Sequence, residues 1–576
     1  NEATLINSRL EESGVAPAAK AEAAEASVAY DSASGGGYSE TNTQVSGVDE
    51  ADIVKTDGEY IYYIANSNVY IVDAKDPSKL IMSEKLNFQQ DIIDSKTNMS
   101  GSGFNPSEMY IDKNTLTIIG SFYEFQDVVP MPMPKMMVAN PFSNKVKVMV
   151  YDISNKSNIT KTKDFYIDGN YSSSRKINNN LYLISNNYIY DRVGDGPIIL
   201  PSSFDSADGQ KTELDYNRMY YPPEVNTSNL LSITSIDVNN PSENASIQTF
   251  LGSSENVYCS NENLYIAVSE YPTENSQQTK IFKFALNNGN VTLAGQGSVE
   301  GRVLNQFSMD EYDNYFRIAT TNDNWTDSTN NSENNIFILN QGLEVTGKLT
   351  GLAKGEQIKS ARFMGDKIYL VTFETVDPLF VIDASDPTNP TVLGELKIPG
   401  YSTYLHPYDE GHLIGFGFDT KVETYQGNEI VRNTGLKMSL YDVSDINNPK
   451  ELFSEIIGDE GTYSEILHNH KSLMFDKQRG LIAFPITVVK QREEVIDGAT
   501  YFGNYQFNGA LVYNISLQGF SLKSQISHVQ KASDYDYSIN RIIYIDNSLF
   551  TLSPGKILAS DLNSGNELSS LTIGIQ

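Results

Sequence analysis

The sequence predicts an all-β protein that repeats one four-stranded antiparallel unit eight or nine times behind a short, partly helical N-terminal extension. Three observations lead there. A phrase of apolar strand, Asp and polar turn recurs as Val69-Tyr-Ile-Val-Asp73-Ala-Lys-Asp76-Pro77, Met149-Val-Tyr-Asp152-Ile-Ser-Asn155, Phe380-Val-Ile-Asp383-Ala-Ser-Asp386-Pro387 and Met438-Ser-Leu-Tyr-Asp442-Val-Ser-Asp445. Repetition every few tens of residues means stacked copies of one supersecondary unit. Nine short apolar strands recur between turn signals such as Asp57-Gly58, Gly365-Asp366 and Asp546-Asn547, the punctuation of hairpins. No amphipathic helical pattern separates the units.

Taken in order, residues 1–40 stand apart. Ala18 to Ala29 is rich in Ala and Glu and reads as helix, while Ser32-Ala-Ser-Gly-Gly-Gly-Tyr-Ser39 reads as a flexible linker. This part is expected to be a tether, and residues 41–576 a single domain. The second strands of the units are Tyr60 to Ile64, Leu116 to Ile119, Leu181 to Ile184, Leu264 to Ala267, Phe316 to Ala319, Ile368 to Val371, Leu413 to Phe416, Leu481 to Phe484 and Leu549 to Leu552. Third strands follow, ending at Val72, Val150, Ile236, Phe284, Leu339, Ile382, Tyr441, Tyr513 and Ala559. Four antiparallel strands per unit without intervening helices make a propeller blade. Separate sandwiches would need linkers between units, and none follows Val45.

The pattern is interrupted at about 124–145, 188–229, 271–279, 322–335, 420–436 and 490–508, each time between a second and a third strand. In an up-and-down blade that connection shares a face with the blade-to-blade connection. All long loops should therefore crowd one face, and such loops are the usual carriers of binding.

Composition narrows the partners. Lys plus Arg total 42 and Asp plus Glu total 73, for a net charge of −31. That field opposes nucleic acid and anionic membrane surfaces. No stretch approaches the roughly 20 apolar residues of a membrane helix. Cys259, the one cysteine, sits in a strand-like stretch and reads as a small buried apolar side chain. The chain opens on Asn1 instead of Met, so a targeting or anchor segment is expected upstream.

Several segments resemble, in order, a family of secreted bacterial and archaeal proteins with a C-terminal β-propeller distantly related to WD40 repeats. They are Asn42-Thr-Gln-Val-Ser-Gly-Val-Asp49-Glu50-Ala-Asp52-Ile-Val-Lys-Thr-Asp57-Gly58; Leu304-Asn-Gln306-Phe-Ser-Met-Asp310-Glu311; Ala361-Arg362-Phe-Met-Gly365-Asp366 with Val371-Thr-Phe373; and Ile398-Pro-Gly400-Tyr-Ser-Thr-Tyr-Leu-His406-Pro407. The resemblance covers roughly residues 42–445. It implies an exported propeller anchored at the cell surface, and no reaction.

Candidate sites follow from residue chemistry. Asp49, Glu50 and Asp52 supply enough oxygen ligands to begin a Ca²⁺ site, the one cofactor the sequence puts forward; the same acids serve equally as turn caps paired with Lys or Arg at the closure of the propeller. His468 and His470, if on a strand, would present two imidazoles on one face, usable by a metal given further ligands. Asn322-Asp323-Asn324-Trp325-Thr326-Asp327 looks like the opening of a calcium loop but lacks the glycine and glutamate that complete one. The recurring Asp73, Asp152, Asp383 and Asp442 are read as acceptors for the turn that follows them. The ligand-binding candidates are Gln306 and Arg362, from the family-like motifs, and Tyr220, Tyr221, Trp325, Tyr501 and Tyr505 in the insertions. Tyr188, Tyr190, Tyr216, Phe502, Phe507 and the methionines 131, 133, 136 and 137 share those insertions. Exposed aromatics suit a protein or sugar partner; the same side chains could instead pack the loops onto the blades.

No nucleophile elbow, zinc-protease helix, P-loop or dinucleotide fingerprint is present. The leading expectation is a non-enzymatic, monomeric binding scaffold, extracellular or anchored at the cell surface, that offers its loop-rich face to a protein or cell-envelope glycan. The alternative is a glycan-directed hydrolase using Asp49, Glu50, Asp310, Glu311 or Glu465 at the central channel.

Overall fold

A computed structural model describes residues 37–88, 101–125, 142–188, 201–215, 219–221, 229–273, 276–323, 325–326, 329–374, 377–425, 428–496, 499–530 and 534–574. The helix expected between Ala18 and Ala29 lies outside them. Nine blades of four antiparallel strands follow one another along the chain. We number them blades 1 to 9: residues 54–87, 101–168, 170–251, 256–300, 309–352, 357–398, 401–457, 474–526 and 541–572. The blade 3 insertion adds two strands to the sheet of blade 2 and one to that of blade 3. Of the eight or nine blades expected, nine form, each with all four strands.

The second strands fall where the apolar runs place them: Tyr60–Ala65 in blade 1, Lys367–Phe373 in blade 6 and Ser548–Ser553 in blade 9, for example. These runs are continuously apolar because both faces of a blade are buried. In blade 1, Tyr62, Ile64, Val69 and Ile71 pack toward blade 2, while Ile61, Tyr63, Tyr70 and Val72 pack toward blade 9. Alternate side chains thus serve two neighbours. Clusters of this kind join every adjacent pair, including blades 8 and 9 and blades 9 and 1, which closes the ring.

The recurring Asp ends the third strand of its blade. Asp73, Asp152, Asp383 and Asp442 accept from the backbone N–H two residues on, at 3.1, 2.8, 3.1 and 3.0 Å. In eight blades the ladder between third and fourth strands slips by one residue, in several of them beside this turn. Such bulges increase strand twist.

The insertions leave from one end of the blades, as expected, but several are sheet and not loop. Blade 7 extends its second and third strands into a hairpin, His412–Tyr425 with Asn428–Asp442, and blade 8 does the same with Leu481–Ile496 and Ala499–Ser516. Period-two runs such as Lys421-Val-Glu-Thr-Tyr425 opposite Glu429-Ile-Val-Arg432 keep the ladder going. The blade 3 insertion turns outward instead. Its hairpin Ser202–Asp205 with Gln210–Glu213 pairs with the outer strand of blade 2, Thr160–Asp168, covering an edge. Buried Lys163 fastens it by an ion pair to Asp205 at 2.7 Å.

Candidate functional site

The first strand of each blade lines the central channel, and the segment just ahead of blade 1 crosses it. Tyr38 bridges Ile545 of blade 9. Asn42 donates to the His470 carbonyl at 2.9 Å and the Tyr404 hydroxyl at 3.1 Å. Gln44 donates to the carbonyls of Gln306 and Met309 at 3.0 and 3.1 Å. Asn261 of blade 4 holds the Ser46 carbonyl, Asp49 bridges Lys176 of blade 3, and Asp52 bridges Met109 of blade 2. Sixteen residues, 38 to 53, thereby tie most of the ring together before blade 1 begins.

Three of the four acids of this segment go to three different partners. Asp49 pairs with Lys55 at 2.8 Å. Glu50, 3% exposed, meets His470 at 3.2 Å and accepts from the Gln44 N–H at 3.1 Å. Burial pushes the Glu50 carboxyl up, but Arg175 and then His470 overcome it and hold its pKa well below the usual 4.5. Asp52 lies against Arg541, whose Nε reaches both carboxylate oxygens at 3.0 Å while Nη1 reaches Glu465 at 3.0 Å. Both members of the Asp52–Arg541 pair are buried. Burial opposes the charge on Arg541, yet Asp52 beside it raises its pKa.

His468 and His470 do not share a strand. Glu465–Leu467 and His470–Ser472 are 3₁₀ turns, because Ser464 and Asn469 cap each in turn. His468 faces the Tyr463 hydroxyl at 2.6 Å, and His470 faces Glu50. Among the described residues no group of three or more His, Cys, Asp or Glu is placed to hold a metal. Gln306 and Arg362 also sit inside. Gln306 accepts from Arg175 at 2.9 Å, and Arg362, 4% exposed, stacks on Phe307 at 5.3 Å.

The remaining acidic candidates are likewise held within the fold. Asp310 accepts from Arg317 and, at 3.2 Å, from Tyr258. Glu311 accepts from Asn263 and Tyr265 at 2.8 Å each, and Glu465 from Asn469 at 2.6 Å. Asp323 of the calcium-like loop takes Arg302 at 2.6 Å and Gln357 at 2.8 Å. Cys259 is buried, and desolvation pushes its thiol up to about 12.

The end that carries the insertions differs. Six tyrosines are 40 to 81% exposed: Tyr188, Tyr220, Tyr221, Tyr271, Tyr463 and Tyr535. Tyr188, Tyr271, Tyr463 and Tyr535 lie in, or at the root of, second-to-third or blade-to-blade connections and belong to one face, whereas Tyr220 and Tyr221 lie at the outer edge of blade 3, where Met219–Tyr220 pairs with the fourth strand Ser246–Leu251. Six of the exposed aliphatic side chains, with Phe453, instead sit on outermost fourth strands. Tyr220 packs its ring edge to Phe250 at 5.8 Å yet keeps its outer side in solvent. The backbones of Trp325, Tyr501 and Tyr505 lie in strands at this end, while their side chains, like all of the methionines 131 to 137, Tyr190 and Tyr216, lie outside the described residues. Phe507 packs partly buried on the core of blades 7 and 8.

Sequence reasoning missed Tyr463 and Tyr535, which lie in blade-to-blade connections where no insertion drew attention. It missed Arg175 and Arg541 as well. Arg541 carries no local signal, since its partner Asp52 is 489 residues away.

A family model described as "Beta propeller domain" matches residues 38–565. An uncharacterized protein of Archaeoglobus fulgidus is 27% identical over 93% of this chain and 85% of its own length. Another, of Methanocaldococcus jannaschii, is 29% identical over 92% of this chain and 82% of its own. Among solved structures, one titled "Crystal structure of the eukaryotic initiation factor" aligns at 12% identity over 70% of this chain and 87% of that one, with a TM-score of 0.27.

Proposed function

The chain belongs to the Beta propeller domain family, and from that premise we propose that it is a binding scaffold whose insertion-bearing face docks a protein partner outside the cell. A propeller supports a binding or scaffold role in general; which face binds, and what, is the proposal. The observation that carries it is that, among the described residues, the strongly exposed tyrosines Tyr188, Tyr271, Tyr463 and Tyr535 gather on that face, with Tyr220 and Tyr221 at the neighbouring outer edge of blade 3. Tyrosine brings a large apolar area and a polar tip at small entropic cost, which is why it anchors protein interfaces. The extended hairpins of blades 7 and 8 give the face projecting walls of paired strand. The net charge of −31 favours a basic partner through faster encounter. A setting at the cell surface is part of the same proposal, supported by the resemblance to secreted proteins.

The test compares wild type with a variant carrying Tyr188→Ala, Tyr220→Ala, Tyr221→Ala and Tyr271→Ala. Each is used to capture partners from cell-envelope extract and is probed on a glycan array. A protein retained by wild type and lost by the variant, at unchanged melting temperature, is the expected result. Equal retention by both would overturn it, and binding confined to the array would reassign the face to sugar.

A further inference from the structure

On the face opposite the insertions, where the first-to-second turns of the blades meet the crossing segment, lies a cavity of about 710 Å³. Small-molecule sites are of this size. Its walls carry opposite charge. The crossing segment contributes Glu40, Asp49 and Asp52, whereas Lys113, Lys176 and Arg541 come from blades 2, 3 and 9. Lys471, from the connection into blade 8, joins the basic side. Lys55, Asp57 and Asp112 line it as well, so five acids face five bases here in a chain that has 73 acids and 42 bases.

Most of these charges are already satisfied. Asp52 is paired with Arg541, Asp49 with Lys55, Lys176 with Asp112 and Lys471 with Glu108. Two groups are left over, one of each sign: among the described residues neither Glu40 nor Lys113 forms an ion pair. Both residues have solvent-exposed surface. The Glu40 carboxyl nevertheless has its pKa raised, first by loss of water at the cavity wall and then by repulsion from Asp49. A positive group arriving there would relieve that repulsion, and a negative group would complete Lys113. Thr41, Thr43 and Asn178 add uncharged polar groups to the lining.

We propose that this cavity binds a small zwitterion with separated charges, a short free peptide, its ammonium toward Glu40 and Asp49 and its carboxylate toward Lys113. The proposal is independent of the insertion-bearing face and stands or falls without it.

The experiment is calorimetric titration of the whole chain with trialanine, N-acetyl-trialanine and trialanine amide. Trialanine is expected to bind, and blocking either end should weaken binding about tenfold, the worth of one charge-assisted hydrogen bond. Lys113→Ala should weaken trialanine about tenfold and leave the amide unchanged. Glu40→Gln should do the same for trialanine and leave the acetylated form unchanged. The blocked peptides are read on the unaltered protein, so a folding defect in a variant cannot mimic the result. No binding of trialanine, equal binding of all three peptides, or variants that discriminate as wild type does would each overturn the proposal.

Discussion

Across the channel, charged side chains lie buried in pairs, Asp52 on Arg541 and Glu50 on Arg175 and His470, whereas on the insertion-bearing face Tyr188, Tyr271, Tyr463 and Tyr535 keep 47 to 81% of their surface in solvent. Members of both groups, Asp49, Glu50, Asp52 and His470 in the one and Tyr188 in the other, stand out in the sequence for their chemistry, and their surroundings separate them. A buried charge costs several kcal/mol unless it is paired and hydrogen-bonded, so the crossing segment's acids are committed to holding the ring. An exposed tyrosine carries no such commitment. The difference teaches that density of chemistry in a sequence marks where the fold is under strict demand, while function is sought where apolar surface is left uncovered.

The sharpest way to break this comparison is at Asp52. Asp52→Ala or Arg541→Ala leaves its partner charged and buried, and should cost about 3–5 kcal/mol, read as a drop in the denaturation midpoint. Replacing both with apolar residues of similar volume should recover much of that loss. If either single variant unfolds like wild type, the crossing segment is not a structural tie.

Acid should attack the same interior next. His528 is buried between Ser553 and Thr551, and desolvation, helped by Lys556, lowers its pKa from 6.5 to about 3. The unfolded chain therefore binds a proton more readily than the folded one between those values. Stability should fall progressively as pH drops from 6.5 toward 3, and His528→Gln should flatten that slope. Glu50 adds to the loss below 4.5, because its folded pKa is depressed and its pairing disappears as it protonates. A stability profile flat from pH 7 to 4 would contradict the His528 account, and one that stays flat below 4.5 would contradict that of Glu50.

A smaller effect is expected at the recurring turns. Asp442→Ala removes the acceptor for the Ser444 N–H and hydroxyl, and should cost about 1 kcal/mol, measured by denaturant titration. The smallest belongs to the other face: Tyr271→Ala, at 68% exposure, should change stability by less than about 0.5 kcal/mol. A large loss there would mean that the tyrosines pack the fold and are not free to bind.

Much of this architecture was legible in the chain. The second strands lie where the apolar runs fall, most of them after a turn signal, and the Asp of the repeated phrase accepts from the turn as its chemistry suggests. The insertions were legible in position but not in form: the blade 7 and blade 8 excursions are hairpins, since period-two polar strands lack the apolar density that marks buried ones. The histidine pair was misplaced on a strand, because the capping effect of Ser464 and Asn469, two neighbouring short polar residues, outweighs any strand propensity there.

The sequence alone determined the blades, their number to within one, and the end from which the insertions leave, because these follow from local alternation and turn chemistry within some forty residues. Only the tertiary structure decided where Asp49, Glu50 and Asp52 go, that the segment carrying them crosses the channel, and that Tyr188, Tyr271, Tyr463 and Tyr535 share a face. Those outcomes depend on ring closure, which brings residue 52 against residue 541. No periodicity along the chain encodes a contact made by closing a circle.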